Sequence, residues 1–368
     1  MNKKYTLLIA GLTFTLALSG CSKNNEEKTV PENKPAVTES VEPKSETKKI
    51  VDLTGAEVEI PVAENINRVV IIAPPLPATF ASVVKDTTKI VGSHPKGFSN
   101  ANPEILELII PNWKDINTSF IDGYTSNVEE LMNLKPDLIL VYGDTQKEGL
   151  DRLGVPVVDF FQNDSRNEEW SVKIDKLMRD IFEKDESDSL EQEWKKANEI
   201  VKEPLEKTGE NKKKAIMINS NDGGIIAVRG GNYYGDDWLV KTGLINCASG
   251  TDGDGVQVSM EQIYEWNPDV IYDFGGTNAD KYLNNQFDGQ DWSKISAVKN
   301  KQVYNMPRGM FNWGAPNADS PLTLVWMTMK NYEGTIEEDF FKDYMFDYYE
   351  RQYNIKLNDE LYNSILSN

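Results

Sequence analysis

Residues 127–143, NVEELMNLKPDLILVYG, recur without a gap as residues 259–275, SMEQIYEWNPDVIYDFG. Glu129 answers to Glu261, Pro136 to Pro268 and Gly143 to Gly275, all at one offset. Each copy reads as a capped helix, a Pro-Asp turn and an apolar strand that stops at glycine. The run Leu138-Ile139-Leu140-Val141 is apolar on both faces, as a parallel strand covered by helices must be. Chance pairing of a helix with a strand would not keep Glu, Pro-Asp, an apolar run and Gly in register. The chain is therefore read as an internal duplication, two similar α/β lobes.

Working outward, the same alternation continues on both sides. Lys49–Ile60 reads as a hairpin turning at Asp52, Thr54 and Gly55. Strands are expected at Arg68–Ile72, Lys89–Gly92, Asp137–Tyr142 and Val155–Phe161, with helices at Ala78–Lys85, Pro103–Ile110, Asn127–Leu134 and Gln146–Leu153. From 167 to 210 the strands stop. Glu168–Glu183 and Ser187–Lys207 are charged and helix-prone, with Leu190, Trp194, Ala197, Ile200 and Val201 on one side of the second stretch. The second half then offers strands at Lys214–Asn219, Ile225–Val228, Val270–Phe274 and Gln302–Met306. Helices are expected at Asp237–Thr242 and Met260–Trp266, and Phe340–Leu366 is helical and aromatic. The division is thus a first lobe over 49–166, a helical linker over 167–210 and a second lobe over 211–368.

The first residues are an address. Lys3 and Lys4 precede an apolar run, Tyr5–Leu18, too short and too N-terminal for an ordinary spanning helix. It ends in Leu18-Ser19-Gly20-Cys21, which resembles the lipobox of bacterial lipoproteins; in those proteins the cysteine is lipidated and becomes the mature N-terminus. Residues 1–21 are accordingly a signal peptide and Cys21 the lipidation site. Residues 22–48 hold three prolines, eleven charged residues and no aromatic residue, a composition expected to form a disordered tether.

Composition removes most chemistry. With 39 Lys and Arg against 59 Asp and Glu the net charge is −20, and such an acidic excess argues against nucleic acid as a partner. One histidine, His94, and two cysteines, Cys21 and Cys247, exclude multi-His and Cys-cluster metal sites. No nucleophile elbow, phosphate loop, dinucleotide fingerprint or His-Glu-x-x-His helix is present. No catalytic residue and no cofactor is assigned.

The block x-x-Glu-x-[Leu/Ile]-x-x-x-x-Pro-Asp-[Leu/Val]-Ile, once per lobe, resembles the substrate-binding proteins of ABC importers for ferric siderophores, haem and cobalamin. Residues 291–304, Ser320-Pro321-Leu322 and the Phe340–Tyr353 helix resemble the same family, and the likeness covers about residues 49–366. It implies two Rossmann-like lobes joined by one long rigid helix, with the ligand in the cleft between them. It further implies capture of an iron complex, siderophore or haem, by a monomer held at the outer face of the membrane by its N-terminal lipid. In that family the glutamates matching Glu129 and Glu261 dock on the permease, one lobe per subunit. A cobalamin carrier of the same family, and a secreted enzyme on the same scaffold, are the alternatives.

The site location has independent support, because ligands of open parallel sheets sit beyond the carboxyl ends of the strands. Here those ends are Ala73–Pro77, Ser93-His94, Tyr142-Gly143, Phe161, Asn219–Asp222 and Phe274–Gly276. Arg229 and Arg308 are loop cations suited to anionic oxygens, or else ordinary surface ion pairs. Tyr233, Tyr234 and Trp313, in glycine-rich loops, are expected to wall an apolar ligand surface, whereas Trp238 is expected in the core. Tyr142 ends a strand and points either into the cleft or away from it. His94 is the one imidazole available to a haem or corrinoid metal, if it is not a bystander.

Overall fold

The computed structural model describes residues 46–162, 166–209, 212–276 and 278–367. The expected signal peptide, Cys21 and nearly all of the tether lie outside the described residues. The tether ends sooner than expected: Thr47 and Lys48 already belong to β1 (Thr47–Val51), which pairs antiparallel with β2 (Glu57–Pro61). Between them the Asp52 carboxylate accepts from the amides of Thr54 and Ala56 at 2.9 and 3.0 Å, the side-chain-to-backbone turn that an Asp-x-Thr-Gly sequence favours.

The first lobe runs β3 (Val69–Ile71), α1 (Leu76–Val83), β4 (Ile90–Ser93), α2 (Pro95–Ser99), α3 (Pro103–Ile109), β5 (Ile121–Asp122), β6 (Thr125–Ser126), α4 (Val128–Asn133), β7 (Leu138–Val141), α5 (Asp144–Lys147) and β8 (Val157–Asp159). Its sheet has the order β4-β3-β7-β8, all parallel. Two helices follow, α6 (Asn167–Phe182) and α7 (Leu190–Thr208). The second lobe runs β9 (Lys214–Asp222), β10 (Ile225–Val228), α8 (Tyr234–Lys241), β11 (Ile245–Asn246), β12 (Val256–Val258), α9 (Met260–Trp266), β13 (Val270–Asp273), α10 (Ala279–Leu283), α11 (Ser296–Lys299) and β14 (Val303–Asn305). It is closed by α12 (Ser320–Asn331), α13 (Glu338–Tyr353) and α14 (Asp359–Leu366). The second sheet is ordered β12-β10-β9-β13-β14, with β11 also on β9. β11, β9, β13 and β14 are parallel, while β10 is antiparallel to both of its neighbours, β9 and β12.

The duplicated stretches are α4–β7 and α9–β13. In each lobe the copied strand lies beside the lobe's first parallel strand, β3 or β9. Alternation explains why these strands are apolar throughout. Leu138 and Leu140 face the core shared with α1, α3 and α6, whereas Ile139 and Val141 face a separate cluster with Leu131 of α4. Likewise Val270 and Tyr272 turn to the shared core and Ile271 to the cluster with Ile263 of α9. The inner faces of both sheets therefore rest on one continuous core.

The helical linker is a pair of helices, as its two helix-prone stretches predict, parted where Glu183 adopts a left-handed conformation (φ 53°). Buried Arg179 ties the break together, with Nε 2.9 Å from Asp175 Oδ2 and Nη1 2.9 Å from Asp188 Oδ1. Even so, α6 touches both lobes. The Asn167 side chain donates to Tyr234 O and Asp237 Oδ2 at 2.8 and 2.9 Å, and Phe182 meets Phe80 of α1 edge-on at 5.3 Å. The last helices, expected wholly within the second lobe, also pack on the first. Ser82 of α1 donates to Gln352 Oε1 at 2.6 Å, and Asn102 donates to Ser364 at 3.1 Å.

Candidate functional site

A cleft of about 800 Å³ lies between the lobes, walled by residues of both and by Trp170 of α6. Its lining follows the carboxyl ends of the strands: Pro74 and Pro75 after β3, Lys96 after β4, Tyr142 after β7, Phe161 after β8, Arg229 after β10 and Phe274 after β13. Asn219 enters it from within β9, at the register shift where Ala227 faces Ser220 but Val228 faces Ile218. The extra residue of a bulge re-aims one side chain in this way.

Arg229 dominates the second-lobe wall. It is 2% exposed, with its guanidinium 4.1 Å from the Phe274 ring centre and 4.8 Å from that of Tyr234. Gly235 allows this, since a Cβ there would lie 2.5 Å from the Arg229 side chain. Burial holds the guanidinium below the ordinary arginine range, while the two tyrosines act in the opposite sense. Nη1 donates to the carbonyl of Asp254 at 3.1 Å and pairs with its carboxylate. Tyr233 and Tyr234 both line the cleft, and burial raises both hydroxyls, that of Tyr234 to about 12.

Across the cleft, Lys96 donates to the Tyr124 hydroxyl at 3.1 Å. The structure decides the direction of Tyr142. Its ring lines the cleft beside Trp170, 5.8 Å away, and the amide of Tyr142 donates to Gln146 Oε1 at 2.8 Å. Burial, with the Asp159 carboxylate nearby, raises its hydroxyl far above the usual range.

Three expected contacts are displaced. Trp313 is wholly buried, edge-on to Trp326, and the floor of the cleft is made instead by Phe311, Ala315 and Pro316. Arg308 does not line the cleft; its guanidinium lies against the Gly276 turn, where a Cβ would sit 2.2 Å from Nη2. His94 is 1% exposed and caps α2. Nδ1 accepts from the Lys96 amide at 3.0 Å, so Nε2 carries the proton and donates to Gly123 O at 2.9 Å. With both nitrogens engaged, His94 has none left for a metal. Trp238 is in the core as expected, stacked on Trp194 at 6.0 Å.

Burial holds the His94 imidazole below its ordinary 6.5. The unfolded chain therefore binds this proton more readily, and stability present above about pH 6.5 is lost as the pH falls through the lower folded value. His94→Asn, which keeps a capping acceptor, will flatten the acid side of the pH–stability curve in urea titrations. An unchanged slope would remove His94 from that role.

Glu129 and Glu261 occupy the first turns of α4 and α9 and are exposed. At α4 the cap is made by Asn127, whose Oδ1 accepts from the amides of residues 129 and 130. At α9 Ser259 Oγ accepts from the Gln262 amide, and the Glu261 carboxylate, hydrogen-bonded to its own amide and to the Ser259 side chain, is held below its ordinary range.

Sequence reasoning assigned no role to Lys96, Tyr124, Phe161, Trp170, Asn219, Asp254 or Phe274. Phe161, Asn219 and Phe274 stood at expected strand ends, so the location was legible but not the contact. Tyr124, on the tight turn between β5 and β6, carried no signal. Among the described residues no group of three or more His, Cys, Asp or Glu side chains is placed to hold a metal ion, and no helix is long and apolar enough to cross a membrane.

Comparison with known proteins agrees with this geometry. A solved periplasmic solute-binding protein from Veillonella parvula is 30% identical and superposes with a TM-score of 0.75 over 88% of this chain and 97% of its own. The molybdate-binding protein MolA of Haemophilus influenzae is 25% identical over 83% of this chain and 90% of its own length. A putative ABC transporter substrate-binding lipoprotein of Bacillus subtilis, YhfQ, is 25% identical over 84% and 92%. The periplasmic binding protein family model matches residues 110–309, more than half of the sequence; the chain belongs to the periplasmic binding protein family.

Proposed function

We propose that the protein is the substrate-binding lipoprotein of an ABC importer, that it catalyses no reaction, and that its ligand is an anionic metal chelate, a ferric siderophore before haem. The observation that carries this reading is Arg229: a desolvated cation framed by aromatic rings on one wall, with Lys96 on the other. A cation in an aromatic frame suits anionic oxygens on a ligand with flat or apolar faces. A cleft of about 800 Å³ is also in the size class of drug-sized ligands. Cobalamin is disfavoured because His94 is committed to its cap. Similarity to MolA favours one second reading, a bare tetrahedral oxyanion.

Trp170 supplies the readout. Quenching of its fluorescence is to be followed with a ferric tris-catecholate, a ferric trihydroxamate, haem, cobalamin and molybdate. Saturable quenching by a ferric chelate is expected. Response to molybdate alone would replace the chelate by the oxyanion, and response to none would remove both.

The anchor and the permease are part of the same proposal. Cys21 carries the lipid, and Glu129 and Glu261 meet the two permease subunits. Cys21→Ala will move the folded protein from the membrane to the soluble fraction, followed by detergent-free washing and immunoblotting. Retention on the membrane would defeat the lipoprotein reading.

A further inference from the structure

The cation that faces the cleft already has an anion of its own. Both partners of Arg229 Nη1 come from one residue, Asp254: its carbonyl, 3.1 Å away, and its carboxylate. The two ends of this pair differ in setting, since the arginine side chain is 2% exposed and the aspartate side chain 45%. The aspartate is held beside the arginine by backbone. The amides of Gly230 and Gly231 donate to Gly253 O and Thr251 O at 2.9 and 2.8 Å, and the amide of Gly253 returns to Gly231 O at 3.3 Å. No side chain fits at Gly230, where a Cβ would lie 2.1 Å from Thr251 O. The Asp254 side chain is 45% exposed, so rotation about its own χ angles can carry the carboxylate to water while the carbonyl stays in place.

We infer that Asp254 is an exchangeable counter-ion and a specificity-determining residue: it occupies the anion position of the cleft and is displaced by the ligand's own anionic oxygens. The inference rests on the proposed anionic ligand. Without Asp254 a buried guanidinium facing an open cleft would carry an uncompensated charge, which is costly. With it, a small anion that meets Arg229 alone, chloride or sulfate, gains nothing by exchange, because it only replaces a carboxylate that the chain already holds in place. Only a ligand presenting several oxygens together, and meeting Lys96 as well, recovers more than the exchange costs. Released carboxylate returns to water cheaply, since it is already half exposed.

The test has two arms. In the first, Asp254→Asn will bind a ferric tris-catecholate about five- to tenfold more tightly than wild type, the size of a partly exposed charge pair, while affinity for a neutral ferric trihydroxamate stays constant. The second arm uses no chelate. Sulfate, compared with chloride at equal ionic strength, will raise the melting temperature of Asp254→Asn saturably, but not that of wild type or of Asp254→Asn with Arg229→Met. Asp254→Ser replaces Asp254→Asn should the latter misfold. Weaker or unchanged tris-catecholate binding together with no selective sulfate effect overturns the counter-ion role. A sulfate effect without any chelate binding keeps the counter-ion and discards the ferric ligand.

Discussion

A chain carrying Glu129→Lys together with Glu261→Lys will capture its ligand normally and fail to support uptake in cells. The two glutamates stand at the same register of the duplicated helix–strand units, on the first turns of α4 and α9, exposed and outside the cleft lining. The amides of both first turns have Asn127 and Ser259 as acceptors, and what Glu261 adds is a local bond to the exposed Ser259 side chain and to its own amide. Stability alone therefore asks little of them: an acid near a helix N-terminus contributes about 0.3–1 kcal/mol. A pair of matched charges, one per lobe, suits a partner with two-fold symmetry. Reversing both turns attraction into repulsion at two points, which slows encounter and blocks docking. Uptake of radiolabelled ferric chelate should fall to the level of a strain lacking the protein. Fluorescence titration and melting temperature should stay close to wild type. Wild-type uptake by the folded double variant would reduce both glutamates to helix-end charges.

The second large effect is expected within the cleft. Arg229→Met keeps an unbranched aliphatic stem against Phe274 and Tyr234 and removes the charge. A charge-assisted hydrogen bond contributes about 1.5–3 kcal/mol, so affinity for a ferric tris-catecholate should fall about 10- to 150-fold. Arg308→Met is the control, because that guanidinium lies against the Gly276 turn and not in the cleft. Calorimetry on both variants decides between them. Equal losses would mean that the cleft extends to Arg308, and no loss in either would move the site elsewhere.

The expected contacts that failed did so for one kind of reason. Trp313 and Phe311 share a glycine-rich loop, and nothing local says which ring faces the cleft; Trp326 of α12 decides it by taking Trp313 into the core. The α12 helix escaped the periodicity reading because all but one of its residues are buried, so it has no polar face to set a 3.6-residue period. His94 looked available because its two partners, the Lys96 amide and the Gly123 carbonyl, are backbone groups that no residue type announces. Asp254 reaches Arg229 from 25 positions away in sequence, through a loop whose glycines signalled flexibility but not direction.

What the sequence determined by itself is what repeats or alternates. The duplicated helix–strand unit, the doubly covered parallel strands and the line of strand ends where a ligand sits all follow from local hydrophobic period and turn chemistry, which act over a few residues. Membership of the family follows from the same blocks. Tertiary structure alone decided which side chains meet in the cleft and that the last helices return to the first lobe. Those outcomes depend on packing between elements far apart in the chain, where the direction of one ring or guanidinium is set by the volume and charge of neighbours that sequence distance does not reveal.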